Sequence, residues 1–97
     1  MRREQRKKDK VNEYGIGEYD ATVRFYESSY CLATAYLKIG PVVISGMAIR
    51  KNKDGDVFVG WPARKREDGT YKNMVYTVDS YLSERIIDAY YAWEDER

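Results

Sequence analysis

The sequence predicts an α+β domain, an antiparallel β-sheet of four to five strands packed against a C-terminal amphipathic helix. Three observations carry this expectation. Apolar and polar residues alternate from Ala21 to Tyr26, the period of a half-buried strand. Two Asp-Gly pairs, Asp54-Gly55 and Asp68-Gly69, supply the positive φ that tight hairpins require. Leu82, Ile86, Ala89, Tyr90 and Trp93 recur at the spacing of one helical face.

Residues 1 to 19 read as a flexible basic tail, polar and broken by Gly15 and Gly17, and residues 20 to 97 as the folded domain. The first strand places Ala21, Val23 and Phe25 on one side and Thr22, Arg24 and Tyr26 on the other. Glu27-Ser28-Ser29 turns the chain into a second strand over Tyr30 to Lys38, which completes a hairpin. After Gly40-Pro41, a third strand runs through Val42-Val43-Ile44 and Met47-Ala48-Ile49, and Ser45-Gly46 between them signals a bulge or a close backbone approach. Val57 to Trp61 returns as the fourth strand and ends at Pro62, which has no amide hydrogen to donate. Tyr71 to Val78 is expected as a short edge strand. Asp79 or Ser80 caps the helix, and the acidic end Glu94-Asp95-Glu96 is expected to fray because negative charge there opposes the helix macrodipole.

A chain of 97 residues holds one core. It has no apolar run long enough to span a bilayer, and Met1 to Lys8 lacks the apolar stretch of a secretory signal, so a cytoplasmic protein is expected. With no histidine and a single cysteine, zinc sites and Ser-His or Cys-His catalysis are excluded, and no enzyme is expected. Cys31 reads as a small apolar residue within a strand, and Trp61 and Trp93 as buried anchors, Trp93 together with Tyr90 and Tyr91. The glycines belong to turns and form no phosphate-cradling loop. The carboxylates Asp54, Asp56, Glu67 and Asp68 fit no calcium-loop spacing, so neither metal nor cofactor is expected.

Net charge is only +1, so any case for an anionic partner rests on where the charges lie. Residues 1 to 10 carry six basic side chains against Glu4 and Asp9, whereas the end from Asp79 carries six acidic ones against Arg85 and Arg97. Between them, Arg50, Lys51 and Lys53 crowd the first Asp-Gly turn, and Arg64, Lys65, Arg66 and Lys72 flank the second. Hairpin loops at one end of a sheet can converge, and these seven cations, with Tyr71 as a stacking ring, form a candidate phosphate-binding face. Solvation of the loops explains the same charges, and that alternative stays open.

The ordered residues Ile49-Arg50, Asp54-Gly55, Val57-Phe58-Val59, Trp61-Pro62-Ala63-Arg64-Lys65, Asp68-Gly69 and Tyr71-Lys72, followed by a terminal helix, resemble the stage V sporulation protein G (SpoVG) family from about Tyr30 to Tyr91. The resemblance implies a small antiparallel-sheet protein that dimerises by extending its sheet and binds DNA, in some members RNA, to regulate transcription, septation and sporulation. It assigns Arg50, Arg64 and Lys65 to the family's basic positions. Trp61 stands where the family has a smaller residue, Ala63 where serine is usual and Tyr76-Thr77 where His-Pro is common, and the basic tail falls outside the match, as in a phage or mobile-element copy. The partners so implied are nucleic acid and a second copy of the chain, with no membrane and no small-molecule substrate. The competing expectation is a protein-interaction module or phage-encoded inhibitor of a host protein, which docks through an edge strand and the acidic helix end.

Overall fold

A computed structural model describes residues 13 to 17 and 19 to 97. The first twelve residues of the expected tail lie outside the described residues. Five strands form an antiparallel meander in chain order, β1 (Glu13–Gly15), β2 (Ala21–Tyr26), β3 (Ala33–Ile39), β4 (Val42–Lys51) and β5 (Val57–Gly60). Two further strands, β6 (Ala63–Lys65) and β7 (Tyr71–Asn73), pair only with each other, and α1 (Ser80–Asp95) closes the chain. The architecture is the α+β class expected, with five strands in the main sheet.

One side of this sheet and one side of α1 make the core. Ala21, Val23 and Phe25 of β2, Ala33, Ala35 and Leu37 of β3, and Met47 and Ile49 of β4 point toward Leu82, Ile86, Ala89, Tyr90 and Trp93 of α1. All five helix residues are those the 3.6-residue period picked out. Phe25 is the hub, with ring centroids 5.7 Å from Trp93, 6.0 Å from Tyr90 and 6.1 Å from Tyr14. Aromatic pairs at this separation add about 0.5–1.5 kcal/mol each beyond their burial. Tyr91, expected to share the anchoring, is exposed instead.

The sheet begins earlier than the expected boundary at residue 20. Tyr14 pairs opposite Val23 and so points into the core, and Ile16 is buried with its amide donating to the Ala21 carbonyl at 2.9 Å. Two well-spaced apolar side chains were enough to recruit a polar segment. Burial first, and the Glu96 carboxylate second, hold the Tyr14 hydroxyl well above the ordinary tyrosine pKa.

The bulge lies where Ser45-Gly46 placed it. Ala35 pairs with Met47 and Leu37 with Ile44, so two residues of β4 oppose Tyr36 alone, and Gly46 adopts φ +81°. Strand β3 starts at Ala33 rather than Tyr30 because Ser28 Oγ competes for the backbone, accepting from the Tyr30 amide at 3.1 Å. Cys31 is therefore in the preceding loop, half-buried, with Sγ 3.4 Å from Ser28 Oγ.

Asp79 caps α1, its Oδ1 accepting from the Tyr81 amide at 3.0 Å. The acidic end, expected to fray, is helical through Asp95. Tyr14 donates to Glu96, Arg97 pairs with both Glu27 and Glu94, and the Arg97 guanidinium lies 4.4 Å from the Trp93 ring centroid. These tertiary contacts oppose the unfavourable macrodipole, whose effect is about 0.3–1 kcal/mol for exposed charges. Among the described residues no helix is long and apolar enough to cross a membrane.

Candidate nucleic-acid interface

Both basic turns have the same construction. In each, a five-residue loop closes with the first amide donating to the last carbonyl, Asn52 to Asp56 at 2.9 Å and Arg66 to Thr70 at 2.7 Å. The glycine alone takes positive φ, +88° at Gly55 and +91° at Gly69, so these are three-residue loops with a glycine bulge rather than two-residue primed turns. Asn52 Oδ1 accepts from the amides of Asp54 and Asp56, and Asp68 Oδ1 from the amide and hydroxyl of Thr70. The Thr70 hydroxyl, then its amide, hold the Asp68 carboxyl below its ordinary pKa.

Their surroundings differ. The first turn joins β4 to β5 within the main sheet, whereas the second tips a two-stranded arm in which every residue from Ala63 to Met74 is exposed. The arm is anchored at Pro62, whose carbonyl accepts from the Met74 amide at 2.8 Å, and Trp61 beneath it is half-buried with Nε1 donating to Ser83 Oγ at 3.2 Å.

The seven expected cations do not share one face. In the arm, Ala63 pairs with Asn73, Arg64 with Lys72 and Lys65 with Tyr71, so alternation puts Ala63, Lys65, Tyr71 and Asn73 on one side and Arg64 and Lys72 on the other. The first side meets the body: Tyr71, Ala63 and Asn73 line a groove of about 640 Å³ with Arg50, Phe58, Gly46, Ala48 and Gly60. Arg50 and Tyr71 are thus brought together, while Arg64 and Lys72 face away from them. Arg66 sits in the arm's turn, and Lys51 and Lys53 border a second hollow that Arg50 also lines, beside Tyr30 and Phe58. Among the described residues no carboxylate pairs with any of the seven within 4.0 Å.

The sheet face opposite α1 carries side chains that sequence reasoning did not single out. Arg24 and Tyr26 on β2, Tyr36 and Lys38 on β3 and Phe58 on β5 lie on it, beside Arg50 of β4, which the basic cluster had already picked out. Tyr26 and Tyr36 meet edge to face with centroids 5.3 Å apart. Arg24 pairs with Glu13 at 3.5 Å, both side chains well exposed, so solvent screens the pair. Its charge is held more firmly than that of a free arginine, by the Tyr26 hydroxyl first and then by Glu13. The signal for this face was the alternation itself, which set Thr22, Arg24 and Tyr26 against Ala21, Val23 and Phe25.

Among the described residues no group of three or more Cys, Asp or Glu side chains is placed to hold a metal ion. Comparison with protein-family models, with curated proteins and with solved structures yields no match.

Proposed function

We propose that the protein is a nucleic-acid-binding regulator, as the resemblance to the SpoVG family implies, and that it works as a homodimer without enzymatic activity. The observation that carries the reading is the set of cations at Arg50, Lys51, Lys53, Arg64, Lys65, Arg66 and Lys72, free of carboxylate partners among the described residues and flanked by the exposed Tyr71 ring. A cation neutralised by a neighbour releases little when it meets phosphate; an unpaired one displaces a condensed counterion. The arm then grips the backbone with Arg64 and Lys72 on one side and Lys65 on the other, while Arg50 works from the sheet.

The second copy adds along β5, one of the two outer strands of the main sheet, where a groove lined by Val57, Val59, Trp61, Ser83, Ile87 and Asp88 flanks the edge. The acidic helix end supports a docking module less well, because Glu94 and Glu96 are engaged by Arg97 and Tyr14.

Binding to DNA and RNA oligonucleotides, titrated from 50 to 200 mM salt (on the order of physiological strength), tests the reading. The affinity falls steeply with salt, and Arg64→Ala with Lys65→Ala weakens binding to unrelated sequences alike, because phosphate contacts carry no base information. Binding indifferent to salt, or none at low salt, overturns it, and capture of a protein from nuclease-treated lysate would then favour the docking module. Light scattering checks the dimer separately: a monomer at the concentrations where nucleic acid binds removes the β5 contact.

A further inference from the structure

The bare sheet face has the composition of a stacking surface rather than of a solvated one. An antiparallel sheet covered on one side normally turns polar residues to water on the other. Here Tyr26 and Tyr36 are each 41% exposed and Phe58 42%, three rings spending apolar surface on solvent with nothing among the described residues to cover them. Arg24, Lys38 and Arg50 surround the rings, and among the described residues Glu13 is the one acidic side chain lining the cleft that Tyr26 and Tyr36 form with Arg24 and Lys38. Rings among cations match a partner that offers flat π-faces and negative charge in the same repeat.

The floor of the face is built from small residues. Gly46, Ala48 and Gly60 form a shallow strip between the Tyr36 side and the Phe58 side, and it opens into the groove walled by Phe58, Arg50 and Tyr71. A Cβ at Gly60 would lie 3.4 Å from the Ala48 carbonyl oxygen and 3.5 Å from Arg50 Nε, ordinary contact distances, so the arginine side chain lies against this strip. Tyr36 and Phe58 are two strands apart across the sheet and several residues apart along it, on the order of 15 Å from strand spacing and rise. That span suits about two or three bases laid on a sheet surface.

We propose that this face is a platform for single-stranded nucleic acid, with bases stacking on Tyr26, Tyr36 and Phe58 and the backbone held by Arg24, Lys38 and Arg50. The proposal rests on the nucleic-acid reading and narrows it. Rings on a flat sheet reach bases only when those bases are unstacked from a partner strand, which a duplex does not allow. Glu13 holds Arg24 weakly enough for a phosphate to take its place. Tyr71 and Asn73 extend the track at the base of the arm, where Asn73 offers an amide to a base edge.

The test is fluorescence anisotropy with labelled oligo-dT, oligo-U and a duplex of matching length, on the full chain and three double variants, each first checked by circular dichroism for an unchanged fold. Tyr26→Ala with Tyr36→Ala lowers single-strand affinity roughly 30-fold or more, as expected for two lost stacking rings. Its salt slope stays that of the native chain, because no charge was removed. Tyr26→Phe with Tyr36→Phe binds as the native chain does, since the rings remain. Arg64→Ala with Lys65→Ala lowers the salt slope and leaves the preference for single strands. Native single-strand affinity in the Tyr-to-Ala pair, or preference of the native chain for the duplex, overturns the platform while leaving a salt-dependent nucleic-acid binder. Absence of salt-dependent binding to all three probes overturns the platform together with the reading beneath it.

Discussion

The β4–β5 hairpin and the β6–β7 arm carry the same turn and meet opposite fates. Asn52 to Asp56 and Arg66 to Thr70 share the closing hydrogen bond and the glycine near φ +90°, and differ in the bracing oxygen, Asn52 at the first position holding two amides and Asp68 at the third holding one amide and a hydroxyl. Behind the first lie Met47 and Ile49, buried under α1; behind the second nothing is buried from Ala63 to Met74. An isolated two-stranded hairpin is marginal in water, so the arm depends on its turn and on the anchor at Pro62, whereas the inner hairpin depends on the core. The difference shows that turn chemistry decides where a chain reverses and has no say in what the reversal packs against. It also divides the work. The inner hairpin holds Arg50 and Phe58 at set positions on the sheet, and the arm carries cations on both of its sides out into solvent.

The sharpest way to test that contrast is to empty each hairpin in turn. Ile49→Ala, at a position 0% exposed, lowers global stability by about 2 to 5 kcal/mol in urea unfolding, whereas Tyr71→Ala, in the exposed arm, shifts it by under about 0.5 kcal/mol. Comparable losses from the two would mean that the arm shares the core's cooperativity.

The turns give a subtler comparison. Alanine at a left-handed position costs about 1 to 2 kcal/mol. Gly55→Ala registers that cost in the global unfolding curve, because the strain is coupled to β4 and β5. Gly69→Ala leaves the global midpoint in place and instead accelerates amide exchange at Arg66 and Thr70, the pair that closes the arm's turn. Equal shifts in the unfolding midpoint would contradict the separation.

The smallest effect belongs to Asp68. Its carboxylate is lowered from the ordinary aspartate value by Thr70, so the turn is supported at and above that value, near 3.8, and loses support as pH falls through the lower folded pKa. Acid titration by NMR therefore moves the Thr70 amide only below about pH 4, and Asp68→Asn, which keeps an acceptor oxygen but no charge, removes that transition. A Thr70 transition that persists in Asp68→Asn would contradict it.

Much of the fold was legible in the sequence because it rests on local physics. The Ser45-Gly46 bulge, the reversals at Asp54-Gly55 and Asp68-Gly69 and the buried face of α1 all follow from backbone preference and period. The recruitment of Tyr14 and Ile16 was not legible, since a strand of three residues has no period to recognise. Nor was the firm helix end, which depends on Arg97 reaching Glu27 from far along the chain. The candidate site shows the same divide. The basic residues could be named from their clusters, but the separation of Arg64 and Lys72 from Arg50 and Tyr71 comes from the arm's register against the body.

What the sequence determined by itself was the kind of surface available, cations at two turns and rings at alternate strand positions, because residue identity and a period of two are written in the chain. Which strand face stayed bare, and which hairpin was left outside the core, only the tertiary structure decided. One helix can cover only one face of a five-stranded sheet. The apolar area of α1 was spent on Phe25, Leu37 and Ile49, so Tyr36 and the arm were left to solvent.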